Sequence, residues 1–178
     1  AIALKFAKNQ YDVVINYRGS EDKAKQVQQE CETYGVNTMI YQGDVSSLDE
    51  MNLMMKAIND KFGRIDVLVN NSGITKDNLL LKMTGEAFDD VIDVNLKGPF
   101  YFAHAVLKYM RLQQSGLILN IGSITGQEGD GYGMEYPTSK AGLMFGLTTS
   151  IAQFGAKYNI RCVCISPGPV LTREAMAN

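Results

Sequence analysis

Short apolar, β-branched runs alternate with helical stretches along the whole of this chain, and that alternation leaves few folds open. Val13-Val14-Ile15-Asn16 precedes a charged helical stretch from Glu21 to Tyr34 that ends before Gly35. Residues 37–42 read as a strand, and Ser46 or Ser47 can cap the helix that runs to Phe62. Asp66 to Asn70 is the next strand, with a helical region from about Gly85 and a long helix from about Val94 to Gln113. Leu117 to Ile121 forms a strand, residues 126–133 a glycine-rich loop, Tyr136 to Lys157 a helix, and Ile160 to Ile165 a last strand. Strands separated by helices of about ten residues or more require right-handed crossovers and a mostly parallel sheet. The expected fold is therefore α/β and doubly wound, and 178 residues suit a single domain.

Composition narrows the function classes. A formal net charge of −2 argues against nucleic acid or an anionic membrane as the main partner. No apolar run approaches the ~20 residues a bilayer span needs. The opening Ala-Ile-Ala-Leu-Lys-Phe-Ala-Lys reads as an amphipathic helix and not as a signal peptide. Three cysteines give no disulfide framework, and Cys162 and Cys164 on one strand face read as small buried hydrophobes. Cys31 is remote and His104 is the single histidine, which disfavours a metal site and a Ser-His-Asp or Cys-His centre. His104 reads as structural.

In a doubly wound sheet, ligands bind in the crevice beyond the carboxyl ends of the strands. Polar and glycine-bearing residues gather at those ends: Asn16-Tyr17-Arg18, Asp44-Val45, Asn70-Asn71-Ser72-Gly73, Ser123 and Ser166-Pro167-Gly168-Pro169. Tyr136 and Lys140, four apart, fall on one helix face. With nine tyrosines in the chain, that spacing alone is close to what chance supplies. Its place beside several site-like strand ends promotes it. A phenol with an ordinary pKa of about 10 is a poor catalyst near neutrality, and an adjacent ammonium favours its ionised form. Ser123 could hold a substrate oxygen while Tyr136 exchanges a proton with it, the apparatus for interconverting an alcohol and a ketone beside a hydride carrier. Pro137 places Tyr136 at or near its helix start.

At Asn70-Asn71-Ser72-Gly73, Ser123, Tyr136-x-x-x-Lys140 and Pro167-Gly168, the chain resembles the short-chain dehydrogenase/reductase family, with its Rossmann-like sheet. The motifs are ordered and spaced as in that family over essentially all 178 residues. The stretch Asn71 to Asp77, followed by Leu79-Leu80-Leu81-Lys82-Met83, is most similar to the family's 3-oxoacyl-[acyl-carrier-protein] reductases, with acetoacetyl-coenzyme A reductases close by. The resemblance implies a general acid at Tyr136, a cationic partner at Lys140 that also binds the nicotinamide ribose, and an oxyanion-orienting Ser123. Asn95 matches the family's water-positioning asparagine; its local alternative is a helix-capping or kink-stabilising role. Asp44 and Val45 match residues that meet the adenine, although Asp44 also suits a cap. Asn71 and Gly73 match the Asn-Asn-Ala-Gly turn, with Ser72 in place of alanine. Pro167, Gly168, Val170 and Thr172 match the segment at the nicotinamide end, where a simple Pro-Gly turn is the alternative.

Arg18, with no acid on its strand end until Glu21, favours NADP(H) over NAD(H), because a guanidinium can neutralise a 2′-phosphate. The resemblance further implies a cytoplasmic homotetramer or homodimer acting on an acyl thioester, with acyl carrier protein as an expected partner. Arg111 and Lys157 are the basic residues available to meet that partner, while Gln113-Gln114 lies where more cations would be expected. Relative to the family, the chain opens inside the helix that follows the glycine-rich phosphate turn and stops shortly after Thr172. The expectation is of a fold incomplete at both ends, one that binds dinucleotide poorly in this form. A dehydrogenase of sugars, polyols or other alcohols is the alternative within the enzyme class. Outside it stands a noncatalytic dinucleotide-fold protein used in assembly or regulation.

Overall fold

The computed structural model describes residues 1–170, and within them strands and helices alternate as expected. Helix α1 (Ile2–Lys8) leads to β1 (Val13–Tyr17), α2 (Glu21–Glu32), β2 (Thr38–Gln42), α3 (Leu48–Phe62) and β3 (Val67–Asn70). After the β3 loop come α4 (Gly85–Ile92), α5 (Gly98–Gln113), β4 (Gly116–Ile121), α6 (Thr125–Glu128), α7 (Glu135–Ala141), α8 (Thr148–Gly155) and β5 (Ile160–Ile165). All observed pairings are parallel, but they form two sheets: β1 pairs with β2, while β4 lies between β3 and β5. A cleft of about 570 Å³ runs between β1 and β3, lined by Val13 to Asn16 on one side and Val67 to Asn70 on the other.

Local chemistry sets the element ends. Ser47, of the two candidate serines, is the cap of α3; its Oγ accepts the Glu50 N–H. Gly63 closes that helix at φ +73, a conformation that costs glycine little. Thr84 caps α4 in the same way, accepting from Ala87 N.

Two helices depart from expectation. The region from Gly85 to Gln113 is one continuous helical run, with a π-helical segment at Asp93–Lys97 joining α4 to α5. Pro99 explains part of this, since it offers no N–H to the carbonyl four residues back, at Asn95. The helix expected from Tyr136 to Lys157 likewise contains a π segment, Gly142–Leu147, between α7 and α8, and ends in a 3-10 turn at Ala156–Tyr158. Part of the expected glycine-rich loop is α6. Nothing in the apolar periodicity marks these changes, because a π turn shifts the face by only one residue.

The main core joins α3 and α5 to the β3–β4–β5 sheet through Met51, Met55, Val106, Met110 and Ile118, all essentially solvent-free. Each such side chain contributes on the order of 1.5–3 kcal/mol on burial. A smaller cluster, Ala7, Val13 and Cys31, seats α1 and α2 on β1. On the long helices, Phe102, Val106 and Leu143 are core, whereas Phe100 and Phe145 are exposed on the outer face of their helices. No described helix is long and apolar enough to cross a membrane.

Candidate active site

The carboxyl ends of β3 and β4 are locked together before any catalytic group appears. Asn70 and Asn120 are register partners, and Asn70 Nδ2 donates to Asn120 Oδ1 at 2.8 Å. Asn120 in turn donates to Thr148 Oγ1 at 2.9 Å. These polar groups are buried and bonded, so they fix register where an unpaired amide would be costly. The chain leaves β4 at Ile121, and Ser123 follows two residues on.

Ser123 Oγ lies 2.9 Å from Thr125 Oγ1 and accepts the Thr125 N–H at 3.3 Å. This turn starts α6, which packs directly on α7. A Cβ at Gly126 would come within 3.0 Å of the backbone at Lys140 and Ala141, so a glycine here lets Ser123 and Lys140 approach. Tyr136 is the second residue of α7 and Pro137 the third, which satisfies the constraint that proline imposes.

Lys140 is 4% exposed, and its Nζ donates to Ile121 O at 2.7 Å. The same Nζ sits 5.5 Å from the Tyr136 ring centroid. Burial pushes the Lys140 ammonium below the usual lysine range. The Tyr136 side chain is half-buried at this corner, beside a fixed cation.

Asn95 is fully buried in the π-helical segment. Its Oδ1 accepts from Ile74 N at 2.8 Å and its Nδ2 donates to Ile74 O at 2.9 Å, so it grips the loop after β3 from both sides. Nδ2 also donates to Ser139 Oγ at 3.1 Å, and the Ser139 hydroxyl donates to Tyr136 O at 2.7 Å. Asn95 thus ties the Gly73 loop to the Tyr136 helix. A Cβ at Gly73 would lie 3.4 Å from Asn95 Oδ1 and 3.6 Å from Lys140 Nζ, which puts Gly73, Asn95 and Lys140 in one place. Ser139 was missed in the sequence; its only signal was its position three residues after Tyr136 on the same helix.

The remaining expected residues occupy two further positions. Pro167 O accepts from Ile124 N at 3.1 Å and Gly168 packs near Ile124, which brings this segment beside Ser123, while Val170 is exposed. Thr172 lies outside the described residues. On the other sheet, Arg18 Nε pairs with Asp44 Oδ2 at 3.0 Å. Asp44 Oδ1 accepts from both Ser46 Oγ and Ser46 N, and these bonds, more than the Arg18 charge, hold its carboxyl below the usual aspartate range. The Val45 side chain is buried against Gly98, and Asn71 is exposed beside the cleft. Ser123, Tyr136 and Lys140 do not line the cleft between the sheets. No described group of His, Cys, Asp and Glu residues suits a metal ion, and His104 is exposed with its ring 6.2 Å from that of Phe100.

A family model for short chain dehydrogenase matches residues 1–178. The chain belongs to the short-chain dehydrogenase family. Its members are NAD(P)-dependent oxidoreductases acting on CH–OH groups. It is 42% identical over 172 residues to the 3-oxoacyl-[acyl-carrier-protein] reductase FabG of Staphylococcus epidermidis, covering 97% of this chain and 70% of that protein. Against the 3-oxoacyl-[acyl-carrier-protein] reductase of Synechocystis, identity is 40% over 172 residues, with 97% and 69% covered. The crystal structure of NAD+-bound xylitol dehydrogenase superposes with a TM-score of 0.89 at 29% identity, covering 93% of this chain and 64% of that one. The chain spans about two thirds of the length of these relatives.

Proposed function

We propose that the protein reduces a 3-oxoacyl thioester, linked to acyl carrier protein or coenzyme A, to the 3-hydroxyacyl form in the cytoplasm with NADPH. The observation that carries the reading is the corner at the carboxyl ends of β3 and β4, where the buried Lys140 ammonium stands 5.5 Å from the Tyr136 ring beside Gly73 and the Ser123 turn. The curated relatives at 40–42% identity are 3-oxoacyl-[acyl-carrier-protein] reductases, which favours an acyl substrate over the polyol of the structural neighbour at 29%.

The donor set fits a nicotinamide dinucleotide: Lys140 and Arg18 offer positive charge at the strand ends to an anionic ligand, and Gly73 leaves the space above Asn95 and Lys140 free of side chain. Asp44, Val45, Asn71, Gly73, Pro167, Gly168, Val170 and Thr172 would hold it together with Tyr136 and Lys140. When bound, the reduced nicotinamide supplies the hydride. Tyr136 donates a proton to the substrate carbonyl oxygen, while Ser123 orients that oxygen and stabilises the charge developing on it. Lys140 favours negative charge on the phenol oxygen as the proton leaves. Asn95 holds the Gly73 loop and the Tyr136 helix in one geometry and is the residue that would position a water for proton return. Arg18 selects NADPH by meeting the 2′-phosphate, for which it must exchange its Asp44 partner.

The test is NADPH oxidation by the full-length protein with acetoacetyl-coenzyme A, set beside NAD+ or NADP+ reduction with xylitol. Turnover of the thioester with little or no polyol oxidation is expected. Polyol oxidation without thioester reduction would replace this reading with the polyol one, and no turnover of either would favour a noncatalytic role.

A further inference from the structure

Glu135 stands immediately before Tyr136 and is the one buried acidic side chain among the described residues, at 0% exposure. An acidic residue in the first turn of a helix is ordinarily solvated there. This one points inward, and its two oxygens are treated differently. Oε1 accepts the Lys76 N–H at 3.2 Å, whereas Oε2 is buried with no donor within reach. Asp77, on the loop after β3, reaches the same glycine as Glu135 does. A Cβ at Gly133 would lie 3.0 Å from Asp77 Oδ1 and 3.2 Å from Glu135 Oε2, so the two carboxyls bracket that glycine. Two carboxyls gathered at one glycine are stabilised when one of them carries a proton that bonds the other.

We propose that Asp77 and Glu135 share one proton at Glu135 Oε2, and that this acid pair is a positioning device holding the start of α7, and with it Tyr136, against the loop after β3. The catalytic consequence rests on the function proposed above; the pair itself does not. Burial and then the charge of Glu135 raise the Asp77 carboxyl above the usual aspartate range, with the Glu135 hydrogen bond and Asp130 adding to the effect.

Other charges do not neutralise the pair. Lys76 Nζ is turned away to Asp90, and Lys140, on α7 itself, donates to Ile121 O. The remaining charged groups on elements packed against α7 are Asp130 on the preceding loop, Glu128 on α6, Glu86 and Asp89 on α4, and Asp93 with its partner Lys97. Nearly all are acidic, which favours keeping the shared proton.

Because the folded protein holds the Asp77 proton above the unfolded value of 3.8, the pair's stabilisation is complete below that pH and is lost as pH rises through the raised folded value. Loss of the proton leaves two carboxylates facing each other and loosens the β3 loop from α7. Glu135→Gln replaces the proton with an amide N–H that can bond the Asp77 carboxylate at any pH, and its carbonyl still accepts from Lys76 N. Asp77→Asn achieves the same from the exposed side, where the substitution threatens folding least.

The experiment measures thermal midpoint and kcat from pH 4 to pH 9 for the full-length wild type, Glu135→Gln, Asp77→Asn and Glu135→Ala. The wild type is expected to lose thermal midpoint, and about tenfold in kcat at fixed saturating substrate, across the Asp77 titration. The Gln and Asn variants should lack that step, while Glu135→Ala should be destabilised at every pH. A step of wild-type size retained in both amide variants would overturn the proposal, as would a wild-type thermal midpoint without any such step. Since the thermal readout needs no substrate, the acid pair can fail or stand independently of the proposed reaction.

Discussion

Around Tyr136 the anchoring groups are buried and bonded from more than one side, whereas Arg18 reaches out from β1 with 75% of its side chain in solvent. Asn95 and Ser139 bond the β3 loop to α7, and Lys140 separately ties α7 to the β4 end. Arg18 has one ionic partner, Asp44, whose own geometry is set by Ser46. The two corners also belong to different sheets. A proton-transfer group has to be held to a fraction of an ångström, so desolvated and over-determined anchors suit it. A group that only recognises a phosphate can sit at the rim, exchanging one anionic partner for another. On the proposed function, this contrast suits chemistry at the first corner and cofactor choice at the second.

The sharpest way to break that division is Tyr136→Phe, which removes the hydroxyl and leaves the ring packing. A loss of about 10²–10⁴-fold in kcat is expected, with an unchanged thermal midpoint. Lys140 comes next. Because burial lowers its pKa, it sheds its proton at a lower pH than the usual lysine value of 10.5, and the rate should fall as pH rises through that point. A pH profile of kcat reads this directly, and a rate flat to pH 10.5 would sever the ammonium from the chemistry.

Asn95→Ala leaves the Ile74 N–H and C=O without their buried partner. A stability loss of roughly 1–3 kcal/mol is expected from denaturant unfolding, together with a fall in kcat. Arg18→Ala should do the opposite on both counts. Its exposed ion pair contributes at most about 1 kcal/mol, so stability should barely move, while the KM for NADPH rises and that for NADH does not. Removal of the cap in Ser47→Ala, on the Arg18 side of the molecule but outside either corner, should cost about 1 kcal/mol and leave both kinetic parameters alone.

Much of this arrangement could be read from the residues themselves. Val13 to Asn16, Asp66 to Asn70 and Leu117 to Ile121 carry strand chemistry in short runs, and each proved to be a parallel strand with its polar residues at the carboxyl end. Pro137 correctly placed Tyr136 near a helix start. What stayed hidden depends on contacts distant in sequence. The π segment around Asn95 matters because Ile74 lies 21 residues away, and a single helix pattern carries no trace of that. Glu135 stands in the first turn of α7, and only the fold brings Asp77 near it from 58 positions earlier. The Arg18–Asp44 pair was invisible for the same reason, since the two strand ends meet only when β1 and β2 pair.

One side-by-side measurement tests the division most directly: kcat and the KM for NADPH, with acetoacetyl-coenzyme A as substrate, for full-length wild type, Tyr136→Phe and Arg18→Ala. The account predicts that the tyrosine variant loses kcat while its KM for NADPH stays near wild type, and that the arginine variant shows the reverse. Near-wild-type kcat in Tyr136→Phe, or a loss in Arg18→Ala that falls on kcat, would contradict it.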